Sequence, residues 1–193
     1  MGGFYEDWNH RRAGLRPIGY LLRRDGAEHW LRFHSLPESK RNAETQEERQ
    51  ILLSRQNELA REVLGEEPCW LVQTHWVTPA GFADRADAND PFRATREFGL
   101  LFAFQFTESE EGEEDRLWNV HALLTGWTAG EFDGLLWDIA EDRAGSTLWM
   151  SSTSGAIFAP YDGGVDLFLP IQSMVALLGK AHPDWLSSHP TGL

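Results

Sequence analysis

The chain has 193 residues, 41% of them hydrophobic, with nine tryptophans, a single cysteine and a formal net charge of -13. That length is enough to bury one substantial core, and the lone Cys69 excludes an intramolecular disulfide. The acidic balance argues against nucleic-acid binding, which neutralises phosphates with Lys and Arg, and no apolar run approaches the roughly eighteen residues of a membrane span.

The opening, MGGFYEDWNHRR, lacks the apolar segment of a secretory signal, so the chain reads as a cytoplasmic protein. Residues 1–16 show no periodicity and are expected to be a peripheral arm, with a single domain over 17–193. PIGYLLRR and HWLRFH read as two strands joined at Asp25-Gly26, a dipeptide suited to a tight hairpin. In the second strand His29, Leu31 and Phe33 share the face expected to meet the core.

SLPESKRNAE is a loop leading to a helix over 45–64, with Thr45 and Glu48 as a capping box and Gly65 as the stop. CWLVQTHWVT follows as a strand, in which Cys69 should behave as a small hydrophobe. The stretch 79–91 is a long loop. FGLLFAFQFT, residues 98–107, is apolar at nearly every position and predicts a strand covered on both faces at the centre of a sheet. It pairs with RLWNVHALLTGW across an acidic turn.

Thr128 and Glu131 suggest a second capping box before the helix FDGLLWDIA. TLWMSST, AIFAPY and VDLFLP then read as short strands, and SMVALLGKAH as a final helix ending before Pro183, with Trp185 and Leu186 able to staple the tail to the body. The resulting order predicts an α+β fold. It is a single, mainly antiparallel sheet of about six to eight strands covered by about three helices.

The C-terminal segments LLWDIAEDRAG, TLWMSS and IFAPYDGGVDLFLP resemble the closing part of the bacterial domain-of-unknown-function family 3885. The resemblance rests on Ile157, Phe158, Tyr161, Asp162 and Asp166 and covers about the last sixty residues. It implies no activity, since none is established for that family.

Four features could carry chemistry. His29, His34, His75 and His121 lie on or beside predicted strands, but the sequence has no HExxH or CxxC spacing, and ordinary hydrogen bonding is the expectation, with no metal and no cofactor. His34, Ser39, Lys40 and Arg41 gather donors and positive charge before a helix and form a candidate anion site. Tyr161, Asp162 and Asp166 surround an Asp-Gly turn and could face a ligand cleft, although turn chemistry alone accounts for them.

The fourth feature is the acidic turn, with Glu108, Glu110, Glu111, Glu113, Glu114 and Asp115 in eight residues. It is the densest part of residues 65–193, which hold twenty acids against six bases. A basic protein partner would complement such a surface.

Two functions remain open on the sequence. One is a non-enzymatic, immunity-like module that docks a basic protein through the acidic turn. The other is a small-molecule or anion-binding domain, or a hydrolase-type enzyme, with a site assembled from the dispersed His, Lys, Arg, Tyr and Asp residues. The absence of a GxSxG or SxxK signature leans away from an enzyme.

Overall fold

The structure, a computed structural model, describes residues 3–77, 92–109 and 115–186. Within them lie seven strands and six α-helices. They are α1 (Phe4–Arg12), α2 (Gly19–Arg24), β1 (Trp30–His34), α3 (Gln46–Leu64), β2 (Cys69–Val77), α4 (Arg93–Phe98) and β3 (Leu101–Glu108). Then come β4 (Arg116–Thr125), α5 (Asp133–Ala140), β5 (Ser146–Ser151), β6 (Ile157–Tyr161), β7 (Gly164–Phe168) and α6 (Gln172–Ala181). The loop expected over 79–91 lies outside the described residues.

All the strands join one antiparallel sheet in the order β1-β7-β6-β5-β2-β4-β3. The predicted α+β architecture is therefore observed. Alternate strand residues feed two cores, because successive side chains leave opposite faces. Leu71, Trp149, Phe158 and Leu167 pack with α3, α5 and α6 on one face. Val72, Met150, Ile157 and Phe168 pack with Phe4 and Trp8 of α1 and Leu22 of α2 on the other. A sheet covered on both faces needs near-continuous apolar strands at its middle, and β5, β6 and β7 are buried at almost every position.

FGLLFAFQFT does not occupy that middle. Phe98 ends helix α4, Gly99 takes the left-handed conformation that caps it (φ 70°), and Leu101–Glu108 forms the edge strand β3. Leu101 is 72% exposed and Phe102 58%. A register shift between Phe102 and Phe104 helps split the run: Phe102 stands edge-on to His121, while Phe104 turns to Phe4 and Tyr5 of α1. One uninterrupted apolar run thus spans the end of a helix and an edge strand, a division that periodicity alone does not reveal.

Residues 3–16, expected within a peripheral arm, pack against the sheet. Helix α1 buries Phe4 and Trp8, the Trp8 indole donates to the carbonyl of Leu15 at 2.9 Å, and Arg11 donates to the carbonyl of Ser152 at 2.6 Å. Within PIGYLLRR, Gly19–Arg24 is likewise a helix where a strand was expected. Leu21 and Leu22 are both fully buried, which suits a helix under a sheet and not a strand with one core face. Asp25-Gly26 terminates α2, with the Asp25 amide bonded to the Leu21 carbonyl, and β1 finds its partner in the distant β7. The helix count consequently exceeds the three expected.

Of the two expected capping boxes, one forms. Thr45 and Glu48 make both bonds of the capping box, at 3.2 Å each, and Gly65 stops α3. The second box does not form, since Phe132 is the N-cap of α5 and Thr128 and Glu131 belong to the preceding turn. Cys69 is buried, and burial pushes its thiol up to about 12, so it is inert packing. The predicted tail contact is present: Leu186 bridges to Phe33 and the Trp185 ring stands edge-on to it at 6.5 Å.

Candidate functional site

The site forms at the β1-β7-β6 end of the sheet, on the face carrying α1 and α2. Asp162 and Gly163 make a two-residue turn between β6 and β7, which sets Tyr161 opposite Gly164. The Asp-Gly hairpin signal is realised there. Gly164 in turn pairs with His34 of β1, and a Cβ at that position would stand 2.2 Å from the Phe33 carbonyl oxygen. Only glycine admits so close a strand.

Two residues further along, Arg32 of β1 faces Asp166 of β7. Its Nε and Nη2 donate to the two carboxylate oxygens at 2.7 and 2.8 Å, a bidentate fork. Their side chains are 11% and 4% exposed, so the pair is largely desolvated and each charge depends on the other. The Arg32 guanidinium also lies over the Tyr161 ring at 4.7 Å and over the Trp30 ring at 5.4 Å.

Above this floor a pocket of about 530 Å³ opens. Helix α2 supplies one wall, with Gly19 close against Ala159 and with Tyr20 and Arg23 facing the opening. The loop after β1 supplies another, with Ser39 and Arg41 at the rim. Glu38 and Ser39 both adopt left-handed backbone (φ 56° and 58°), which costs about 1 kcal/mol or more at each non-glycine residue and bends the loop back over the strands.

Burial sets the state of two groups in the pocket, and geometry places two guanidinium groups. His34 is held below the ordinary imidazole range, first by burial and then by the guanidinium charges of Arg32 and Arg55, so it is neutral at pH 7. Burial pushes the Tyr161 hydroxyl up to about 12, and it serves as a neutral donor or acceptor. Arg41 donates to Asp162 at the rim through Nε at 2.7 Å and also through Nη2. Arg23 lies over the Trp30 ring at 5.8 Å, and no carboxylate pairs with it among the described residues.

Six of the seven residues expected in a candidate anion site and a ligand cleft therefore line one pocket: His34, Ser39, Arg41, Tyr161, Asp162 and Asp166. Lys40 does not. Its ammonium pairs with Glu48 at 2.7 Å and Glu44 at 3.2 Å, which ties the loop to the start of α3. Sequence reasoning missed Gly19, Tyr20 and Arg23, because their segment read as a strand. It also missed Arg32. The available signal was a single formal charge in each of two short strands, Arg32 in HWLRFH and Asp166 in VDLF.

The acidic turn fares differently. Glu108 is 2% exposed and accepts from Arg24 Nη1 at 2.9 Å and from the Trp118 indole at 3.1 Å, so it closes the β3–β4 edge and offers nothing to a partner. Asp115 is exposed, while Glu110, Glu111, Glu113 and Glu114 lie outside the described residues. The four strand histidines do not converge. His75 and His121 stack at 4.9 Å on the α4 side of the sheet, His34 faces the pocket, and His29 sits in the turn before β1.

No helix among the described residues is long and apolar enough to cross a membrane. No curated protein and no solved structure matches the chain. A comparison with protein families matches residues 18–190 to a domain of unknown function, DUF3885, so the likeness extends far beyond the C-terminal third. The chain belongs to the DUF3885 family.

Proposed function

We propose that this protein is a binding domain for a small anion, the phosphate or carboxylate group of a low-molecular-weight ligand, held in the pocket between α2 and the β1-β7-β6 strands. The observation that carries this reading is Arg23. It is a guanidinium at the mouth of a pocket of about 530 Å³ with no carboxylate partner among the described residues. Neutral His34, Ser39 and the Tyr161 hydroxyl line the same pocket as uncharged hydrogen-bonding groups. Guanidinium forks suit planar or tetrahedral oxyanions.

Binding is favoured over catalysis by the state of the two carboxylates. Both oxygens of Asp166 accept from Arg32, and Asp162 accepts from Arg41, so each has a structural occupation and neither is poised as a base. Docking of a basic protein rests on the net charge of -13, and the burial of Glu108 removes one member of its proposed surface.

The test is a thermal-shift and calorimetric titration with inorganic phosphate and with succinate, on wild type and Arg23→Ala. Wild type should be stabilised by at least one of the two probes, and Arg23→Ala should weaken that binding about tenfold or more, the loss of one charged hydrogen bond. Absence of stabilisation by either probe, or equal binding by the variant, would remove the proposal.

A further inference from the structure

On the opposite face of β1 from the pocket, three side chains from two distant segments meet. Glu58 and Glu62 lie one turn apart on α3, and His182 caps the end of α6. One oxygen from each glutamate and one ring nitrogen of the histidine all lie within 4.8 Å of one another. His182 Nε2 is 2.9 Å from Glu62 Oε2.

The imidazole is fixed before any ligand arrives. His182 is 8% exposed, stacked on Trp185 at 4.1 Å and edge-on to Phe33. Its backbone amide bonds to the Leu178 carbonyl, and its own carbonyl accepts from Trp185. Rings locked in this way make precise metal ligands, because no rotamer freedom is lost on binding.

The carboxylates are the unexplained part. Glutamates four apart on one helix face repel each other, and among the described residues neither has an Arg or Lys partner. Arg55, one turn before Glu58, donates instead to the carbonyl of His34 and lies over the Trp185 ring. A hydrogen bond between His182 and Glu62 accounts for one carboxylate only. It gives no reason for Glu58 to converge on the same point.

We propose that Glu58, Glu62 and His182 form a binding site for a divalent transition-metal ion, of which Zn²⁺ is the natural probe. One imidazole nitrogen with two carboxylate oxygens is a donor set for zinc and its neighbours, whereas calcium and magnesium take oxygen alone. Zinc with bonds of about 2.0 Å sets tetrahedral ligands about 3.3 Å apart, so small glutamate rotations close the observed triangle. Three protein ligands leave one position facing solvent beside the exposed Glu62.

The experiment is calorimetric titration of chelator-stripped protein with ZnCl₂, together with melting curves with and without zinc. Wild type, Glu58→Gln, His182→Gln and a His10→Gln/His29→Gln double variant are compared. Wild type should bind one Zn²⁺ per chain and melt at a higher temperature with zinc, and an equal concentration of MgCl₂ should leave the melting temperature unchanged. Glu58→Gln and His182→Gln should each weaken zinc about tenfold or more, while the double variant binds as wild type. Glu58 makes no hydrogen bond or ion pair among the described residues, so its substitution tests metal binding even if His182→Gln disturbs packing. The site is refuted if wild type does not bind zinc, if Glu58→Gln binds as tightly as wild type, if magnesium stabilises equally, or if the double variant loses the binding. None of these outcomes bears on the anion pocket, whose residues lie across β1.

Discussion

The two ends of the sheet invert the usual relation between polarity and burial. At the β1-β7-β6 end, Arg32 and Asp166 lie almost wholly inside, beneath a polar pocket. At the β3–β4 end, Leu101 and Phe102 lie largely outside, on an edge strand. Buried charge is costly unless both partners are present, and a scattered exposed apolar side chain costs little. The polar end is therefore where substitutions should be felt, and the apolar end where they should be tolerated.

The largest expected effect is at the ion pair. Arg32→Ala leaves the Asp166 carboxylate unpaired in the interior and should lower unfolding stability by about 3–5 kcal/mol in urea titration. Arg32→Lys should recover only part of this, because an ammonium cannot reproduce the fork. A loss below about 1 kcal/mol would mean that the pair is solvated, and the contrast between the two ends would fall.

Gly164→Ala comes next. A methyl group pressed against the Phe33 carbonyl must separate β1 from β7, for a loss of about 2–3 kcal/mol. The same variant should weaken pocket binding, since it displaces His34 and Tyr161 together. Retention of both stability and binding would contradict the close approach.

A pH dependence separates the histidines. His75 is held down to about 4 by burial and by its neighbour His121, which is also lowered by burial. A base with a depressed folded pKa takes up its proton more readily when unfolded, so stability rises with pH through that window. Stability should therefore fall as pH drops from about 6.5 towards about 4, with a slope of up to about 1.4 kcal/mol per pH unit for one proton. His75→Gln should flatten that slope, and an unchanged slope would place its origin elsewhere.

The smallest effect belongs to the exposed end. Phe102→Ser should change stability by about 0.5 kcal/mol or less, as expected of a largely exposed side chain. A loss above about 2 kcal/mol would show that the ring is covered in solution, and the contrast would need redrawing.

Local signals survived where the neighbouring elements agreed with them. The capping box of α3 and the Asp-Gly turn between β6 and β7 are present, whereas the Thr128–Glu131 box and the Asp25-Gly26 hairpin are not. The placement of FGLLFAFQFT depends on which strands pair, and hydrophobicity cannot distinguish a doubly covered central strand from an edge strand beside a capped helix. PIGYLLRR reads as a strand for a related reason. Its two adjacent leucines carry no period, and only the partnership of β1 with β7 removes the need for a hairpin there.

The site shows the same division. His34, Ser39, Arg41, Tyr161, Asp162 and Asp166 are recognisable in the sequence as donors and acceptors near turns, yet they read as two separate features where β1–β7 pairing makes one pocket. Arg32 was hidden because its partner stands 134 residues away. Lys40, though correctly seen as basic and close to a helix start, is neutralised by Glu44 and Glu48, side chains within the same loop and helix.

Binding of a small anion at the polar end can be followed residue by residue in a ¹H–¹⁵N correlation titration with inorganic phosphate and succinate. Shifts should cluster at residues 19–23, 32–34, 39–41 and 159–164, saturate at one ligand per chain, and vanish in Arg23→Ala. Shifts confined to residues 101–108 and 116–125, or no saturable shifts with either anion, would contradict it.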